Sequence, residues 1–156
     1  MSAPTILDSE AIARAIADEP PLAALLSALD RDGEEARIVG GALRNALIGE
    51  AASDVDIATT ATPDVVTARA QALGFHVVPT GVEHGTVTVV VRGKPFEVTT
   101  LREDVETYGR KARVRFGRDF SADAMRRDFT INALSATRAG RVFDYATGLA
   151  DLKARR

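Results

Sequence analysis

Arg37-Ile38-Val39-Gly40-Gly41-Ala42-Leu43-Arg44, followed shortly by Asp54-Val55-Asp56-Ile57-Ala58-Thr59, is the stretch that decides the fold. Arg37-Ile38-Val39 reads as a short strand that stops at a glycine pair. Residues 42–48 have helical character, and Gly49 ends them. Residues 53–58 alternate and read as a second strand. Side chains two apart on a strand share a face. Asp54 and Asp56 therefore project together, while Val55 and Ile57 pack inward.

Two carboxylates so close repel each other unless a cation lies between them. Oxygen ligands alone suit Mg²⁺, which takes one or two carboxylates and completes its shell with phosphate and water. A short Asp-x-Asp also fits a solvated face or a capping pair. Gly40 and Gly41 let the backbone approach a phosphate, and the N–H groups of the following helix favour anions. Arg44, one turn in, is within reach of the same phosphate. The spacing fits neither a P-loop nor a dinucleotide fingerprint, and a Gly-Gly turn is also a plain structural device. Glu97, between Phe96 and Val98, faces away from its apolar neighbours. It is either a third carboxylate for a two-metal site or a salt-bridged surface residue. Arg126-Arg127-Asp128-Phe129-Thr130-Ile131-Asn132-Ala133 mixes charges with apolar residues, a combination that is costly to bury without partners. A nucleoside triphosphate would supply phosphates for Arg127 and ribose hydroxyls for Asp128 or Asn132. Taken alone, an internal salt-bridge network is the simpler account of that segment.

Residues 9–29 are predicted helical. Ser9 caps the first piece, Pro20-Pro21 interrupts it, and Leu22, Leu25, Leu26 and Leu29 follow helical spacing. Residues 30–35 are a polar turn. Thr62-Pro63-Asp64 starts a helix with a capping hydroxyl, a proline and an acid, and the helix runs to Leu73. Residues 75–78, 85–91 and 96–101 read as strands, the last two joined in a hairpin by residues 92–95. Residues 102–121 show no clear period and are expected to form a mobile loop. Residues 122–127 read as helix, 130–137 are ambiguous, 138–140 turn, 141–145 form a strand, and a helix begins at 149. This order predicts an α/β (α+β mixed) fold, a small mixed sheet flanked by helices.

Composition agrees with that fold class. The chain has 156 residues, 46 % apolar and 27 % charged, enough for one domain with a sizeable core. The absence of cysteine excludes disulfides and thiolate metal sites, and two histidines are too few for a histidine-rich zinc site. The net charge of −2 is not that of a domain that grips nucleic acid unaided, although residues 110–118 concentrate basic side chains. No apolar run approaches the roughly 18 residues needed to span a bilayer. Residues 1–8 lack the form of a signal peptide, so a cytosolic location is expected.

Five segments in order resemble the class II tRNA nucleotidyltransferase and bacterial poly(A) polymerase family, within the polymerase-β-like superfamily. They are residues 39–44, 54–59, 84–89, 96–102 and 126–134, and Phe143-Asp144-Tyr145 with residues 148–152 adds a sixth. The resemblance implies a nucleotidyltransferase head that moves a nucleoside monophosphate from CTP or ATP to an RNA 3′-hydroxyl. CCA addition to tRNA and poly(A) addition remain alternatives, as does a nucleotide-binding module inactive by itself. By matching positions, Asp54 and Asp56 become ligands of a two-metal Mg²⁺ site. Gly40, Gly41, Arg44 and Arg127 become triphosphate contacts, and Asp128 and Asn132 become ribose-side contacts. Glu97 remains the candidate third carboxylate. The loop at 102–121 is expected to close over the nucleotide, its arginines touching RNA phosphates. Asn45 stands where the family usually carries an acid, so any role needing that negative charge is not carried over. The expected organisation is a helical segment at residues 1–35 packed on a head at residues 36–156. The neck, body and tail domains of the family are expected to be absent from this chain, which would then depend on a longer chain or a partner for base choice and RNA grip.

Overall fold

The computed structural model describes residues 5–40, 43, 55–108, 111–125 and 134–145. Ten strands and four helices are formed among these residues. β1 (Thr5–Asp8) leads into α1 (Glu10–Ala17) and α2 (Pro20–Leu29). The Ser9 hydroxyl caps α1, accepting from the Ile12 N–H at 3.2 Å. Proline at the first turn opens α2, where a missing N–H removes nothing. Leu22, Leu25, Leu26 and Leu29 form its buried stripe.

β2 (Ala36–Val39) and β3 (Val55–Thr59) follow, then α3 (Pro63–Ala72). α3 starts where the sequence predicts, but the Thr62 hydroxyl makes no capping hydrogen bond. Proline and Asp64 are left to start it. β4 (His76–Gly81) and a one-turn 3₁₀ segment (Val82–His84) lead to β5 (Thr86–Val91) and β6 (Lys94–Thr100). The β5–β6 hairpin is tighter than predicted. Its turn is Arg92-Gly93 alone, both at positive φ (52° and 79°), the backbone a two-residue hairpin requires.

The expected mobile loop at 102–121 is overturned. β7 (Arg102–Tyr108) and β8 (Lys111–Phe116) pair antiparallel as a separate two-stranded sheet, with an irregularity between Asp104 and Thr107. α4 (Phe120–Met125), β9 (Leu134–Ala136) and β10 (Arg141–Asp144) complete the described chain. Within the ambiguous stretch at 130–137, β9 makes residues 134–136 strand, and residues 130–133 lie outside the described residues. The expected helices at 42–48 and after 149 lie outside the described residues, apart from helical, buried Leu43.

The main sheet has eight strands in the order β1-β10-β9-β2-β3-β6-β5-β4. Only β3 and β6 run parallel among these neighbours. One face carries Ile38, Val55, Ile57, Phe96, Val98, Val87, Val89, Leu134 and Val142, which share a buried cluster with residues of α1, α2 and α3. Full burial of each such side chain contributes about 1.5–3 kcal/mol. The other face holds a smaller cluster of Val39, Ala58, Leu101 and Phe120, and it is the face on which Asp56 lies. No helix among the described residues is long and apolar enough to cross a membrane.

Candidate active site

β2 and β3 pair antiparallel with Val39 opposite Asp56, and β3 and β6 pair parallel with Asp56 beside Glu97. Ser135 of β9 and Thr88 of β5 extend the same row. Residues paired across a sheet share a face, with strands about 4.8 Å apart. Asp56 and Glu97 thus stand side by side on the face turned away from α1–α3. Glu97 is exposed and Asp56 half-buried, whereas Val55 and Ile57, on either side of Asp56 in sequence, are 2 % and 1 % exposed. The alternation expected at 54–57 holds for its described residues.

Gly40 ends β2 with φ +76°. A Cβ at this position would lie 2.9 Å from Asp56 Oδ2. The missing side chain is the space the carboxylate occupies. Glycine is therefore needed twice over, for its left-handed backbone and for room beside an acid.

Hydroxyls fasten the strand ends near these acids. Thr59 Oγ1 donates to the Glu35 carbonyl at 2.7 Å, and Thr100 Oγ1 donates to the Ala61 carbonyl at 2.7 Å. The Glu35 N–H donates to Thr60 Oγ1 at 2.8 Å. Such bonds hold the register on which the juxtaposition of Asp56 and Glu97 depends. Arg118, one of the basic residues expected to touch RNA, is engaged with its own chain. Its two terminal nitrogens donate to Glu34 Oε1 and the Gly33 carbonyl, each at 2.5 Å.

Of the residues singled out in the sequence, Gly40, Asp56 and Glu97 are described, and they come together. Asp54, Gly41, Arg44, Asn45, Arg127, Asp128 and Asn132 lie outside the described residues. Among the described residues no group of three or more His, Cys, Asp or Glu is arranged to hold a metal ion. The described donors are two carboxylates, an oxygen set that fits Mg²⁺.

Arg37 stands out only in the folded chain. It lies two residues before Val39, on the same face as Asp56, and is 6 % exposed. Its guanidinium carbon lies 3.8 Å from the ring centroids of both Phe120 and Phe143. The available signal was an arginine inside an apolar strand, a place where a charge must find partners.

A family model described as "Poly A polymerase head domain" matches residues 36–156. Over 136 residues the chain is 43 % identical to the CCA tRNA nucleotidyltransferase 1, mitochondrial, of Danio rerio, covering 86 % of this chain and 32 % of that protein. It is 39 % identical over 133 residues to the CCA-adding enzyme of Staphylococcus aureus (strain MRSA252), covering 84 % of this chain and 32 % of that one. The chain thus spans about a third of the length of the curated relatives it matches. Among solved structures, the CCA-adding enzyme of Bacillus stearothermophilus in complex with CTP superposes with a TM-score of 0.72 at 38 % identity, over 88 % of this chain and 33 % of that one.

Proposed function

The chain belongs to the poly A polymerase head domain family, and on that premise we propose that it is the catalytic head of a CCA-adding nucleotidyltransferase. The reaction is transfer of a nucleoside monophosphate from CTP or ATP to the 3′-hydroxyl of a tRNA, releasing pyrophosphate. Residues 36–156 form the head proper in this reading, with the α1 and α2 helices of residues 1–35 packed on it, while β1 departs from the expected all-helical segment by joining the edge of its sheet. The proposal includes a cytosolic location.

The observation that carries it is the register that sets Asp56 beside Glu97, with Gly40 cut away for the Asp56 carboxylate. Asp54 and Asp56 would hold Mg²⁺, with Glu97 as the further carboxylate. Bound there, Mg²⁺ supplies charge neutralisation at the triphosphate and lowers the pKa of the attacking hydroxyl. The protein's own part is positioning and preorganised charge, with no covalent enzyme intermediate. Gly40 and Gly41 bring backbone N–H groups to the triphosphate, Arg44 and Arg127 bind its oxygens, and Asp128 and Asn132 meet the ribose.

Incubation with a tRNA transcript lacking its terminal CCA, together with labelled CTP and ATP, tests the reading. Ordered addition of C, C and A supports it. A ladder of A from ATP alone turns the assignment to poly(A) addition, the activity in the matched family's description. Mg²⁺-dependent binding of CTP without incorporation makes the chain a nucleotide-binding module.

A further inference from the structure

β5 and β6 have two unlike faces. Toward the helices they turn Val87, Val89, Phe96 and Val98, each at most 1 % exposed. On the side of Asp56 they carry Thr86, Thr88, Glu97 and Thr99, of which Glu97 is exposed and the three threonines are half-buried. The register places Thr88 beside Glu97, which stands beside Asp56, and Thr86 beside Thr99, which stands beside Ala58. The second pair lies two residues along the strands from the first, about 7 Å away. One hydroxyl donates to the other between Thr86 and Thr99, 3.0 Å apart, and between Thr80 and Thr88, 2.9 Å apart. Each such pair uses one proton and one lone pair, and keeps a proton and further lone pairs for another molecule.

Among the described residues, one direction from Asp56 is open. Along its row toward β9 come Val39 and Ser135, 7 % and 4 % exposed. Along β3 comes Ala58, buried in the smaller cluster with Leu101 and Phe120. Toward β5 come Glu97, Thr88 and the Thr86–Thr99 pair. An RNA whose 3′-hydroxyl is extended at Asp56 would bring its last riboses to that side. The carboxylates there repel phosphate, which carries charge of the same sign. The threonine hydroxyls are uncharged, and each both donates and accepts, as a ribose 2′-hydroxyl does.

We propose that Thr86, Thr88 and Thr99 form a subsite for the ribose edge of an RNA 3′ end, hydrogen-bonding its 2′-hydroxyls. The threonines thereby select RNA over DNA as the acceptor. The inference rests on the reading that an RNA 3′-hydroxyl is extended at Asp56.

The test uses a tRNA transcript lacking its terminal CCA and the same transcript with 2′-deoxyribose in its last two nucleotides. Binding of each is measured by fluorescence anisotropy in Mg²⁺, CMP transfer from CTP is followed on each, and CTP affinity is measured by calorimetry. The unaltered protein should bind the all-ribose acceptor at least about tenfold more tightly. That preference should fall about fivefold, the worth of one hydrogen bond, in Thr88→Val and likewise in Thr99→Val. Valine keeps the β-branched shape that suits a strand, and CTP affinity should move less than about twofold. Thr80→Val breaks the Thr80–Thr88 pair but leaves the Thr88 hydroxyl in place, so the preference should persist. Absent or equal binding of the two acceptors by the unaltered protein overturns the inference. So does an equal loss of preference in Thr80→Val, because the effect is then one of strand geometry. A fall in CTP affinity with the preference intact also overturns it and gives this face to the incoming nucleotide. CMP transfer that depends on Asp56 in any of these cases leaves the site reading standing. Full transfer by Asp56→Ala overturns the site reading and the inference with it.

Discussion

Ile38, Ile57 and Val98 lie in register across β2, β3 and β6; one residue along, so do Val39, Asp56 and Glu97. The first row faces the helices and is 6 %, 1 % and 0 % exposed. The second row ends in a half-buried and an exposed carboxylate on the opposite face. The two rows share backbone, strands and hydrogen bonds, and differ only in which way the pleat turns them. The first row uses the sheet as a wall of the core. The second uses the same spacing to bring together charges that would otherwise stay apart. A slip of one residue in β3 would exchange the rows, so the core that fixes the register also fixes the site.

Adjacent substitutions should therefore have opposite phenotypes. The largest expected effect is in Asp56→Ala. If Asp56 holds Mg²⁺ as proposed, its loss forfeits several kcal/mol of transition-state stabilisation, about a thousandfold in rate, with the urea midpoint little changed. Retained activity would remove Asp56 from the chemistry. Ile57→Ala should do the reverse, costing about 2–5 kcal/mol of stability through the cavity it leaves, measured by denaturant unfolding. A stability loss as large in Asp56→Ala would erase the distinction between the rows. Gly40→Ala should show both effects in smaller measure. A positive φ costs an alanine about 1–2 kcal/mol, and its Cβ pushes on Asp56 Oδ2, so the Mg²⁺ concentration for half-maximal rate should rise. An unchanged Mg²⁺ requirement would confine Gly40 to a backbone role. The smallest effect belongs to Lys94→Met, which breaks the exposed pair with Glu19 at 2.8 Å. It should cost under about 1 kcal/mol and leave activity unchanged.

The helix-facing row was open to sequence reading because burial and period coincide along 55–57 and 36–39. The Leu22, Leu25, Leu26 and Leu29 stripe and the Ser9 cap were legible for the same reason: their partners lie within a turn or two. β1 was not. All four of its residues are exposed, Ile6 and Leu7 at 54 % and 47 %, and what makes it a strand is pairing with distant β10. β7 was missed because Arg102-Glu103-Asp104-Val105-Glu106-Thr107-Tyr108 has no apolar face to read. The Arg37 cage depends on partners as far away as Ser135 and Tyr145, contacts that no local pattern announces. Asp56 and Glu97 could be named from sequence, but their exact neighbourhood came from the sheet register.

The parallel pairing of β3 with β6 has a consequence in time. β2 with β3 and β5 with β6 are neighbours along the described chain, and β5–β6 closes through a two-residue turn. Parallel β3–β6 pairing must wait for the crossover from residue 60 to 93 to form, and such long-range closures are the slow ones. Asp56 arrives on one side of that seam and Glu97 on the other. The two acids thus first meet when the seam closes, so the candidate site matures with one of the slower steps of folding and opens if the seam parts, even while the β5–β6 hairpin stays intact.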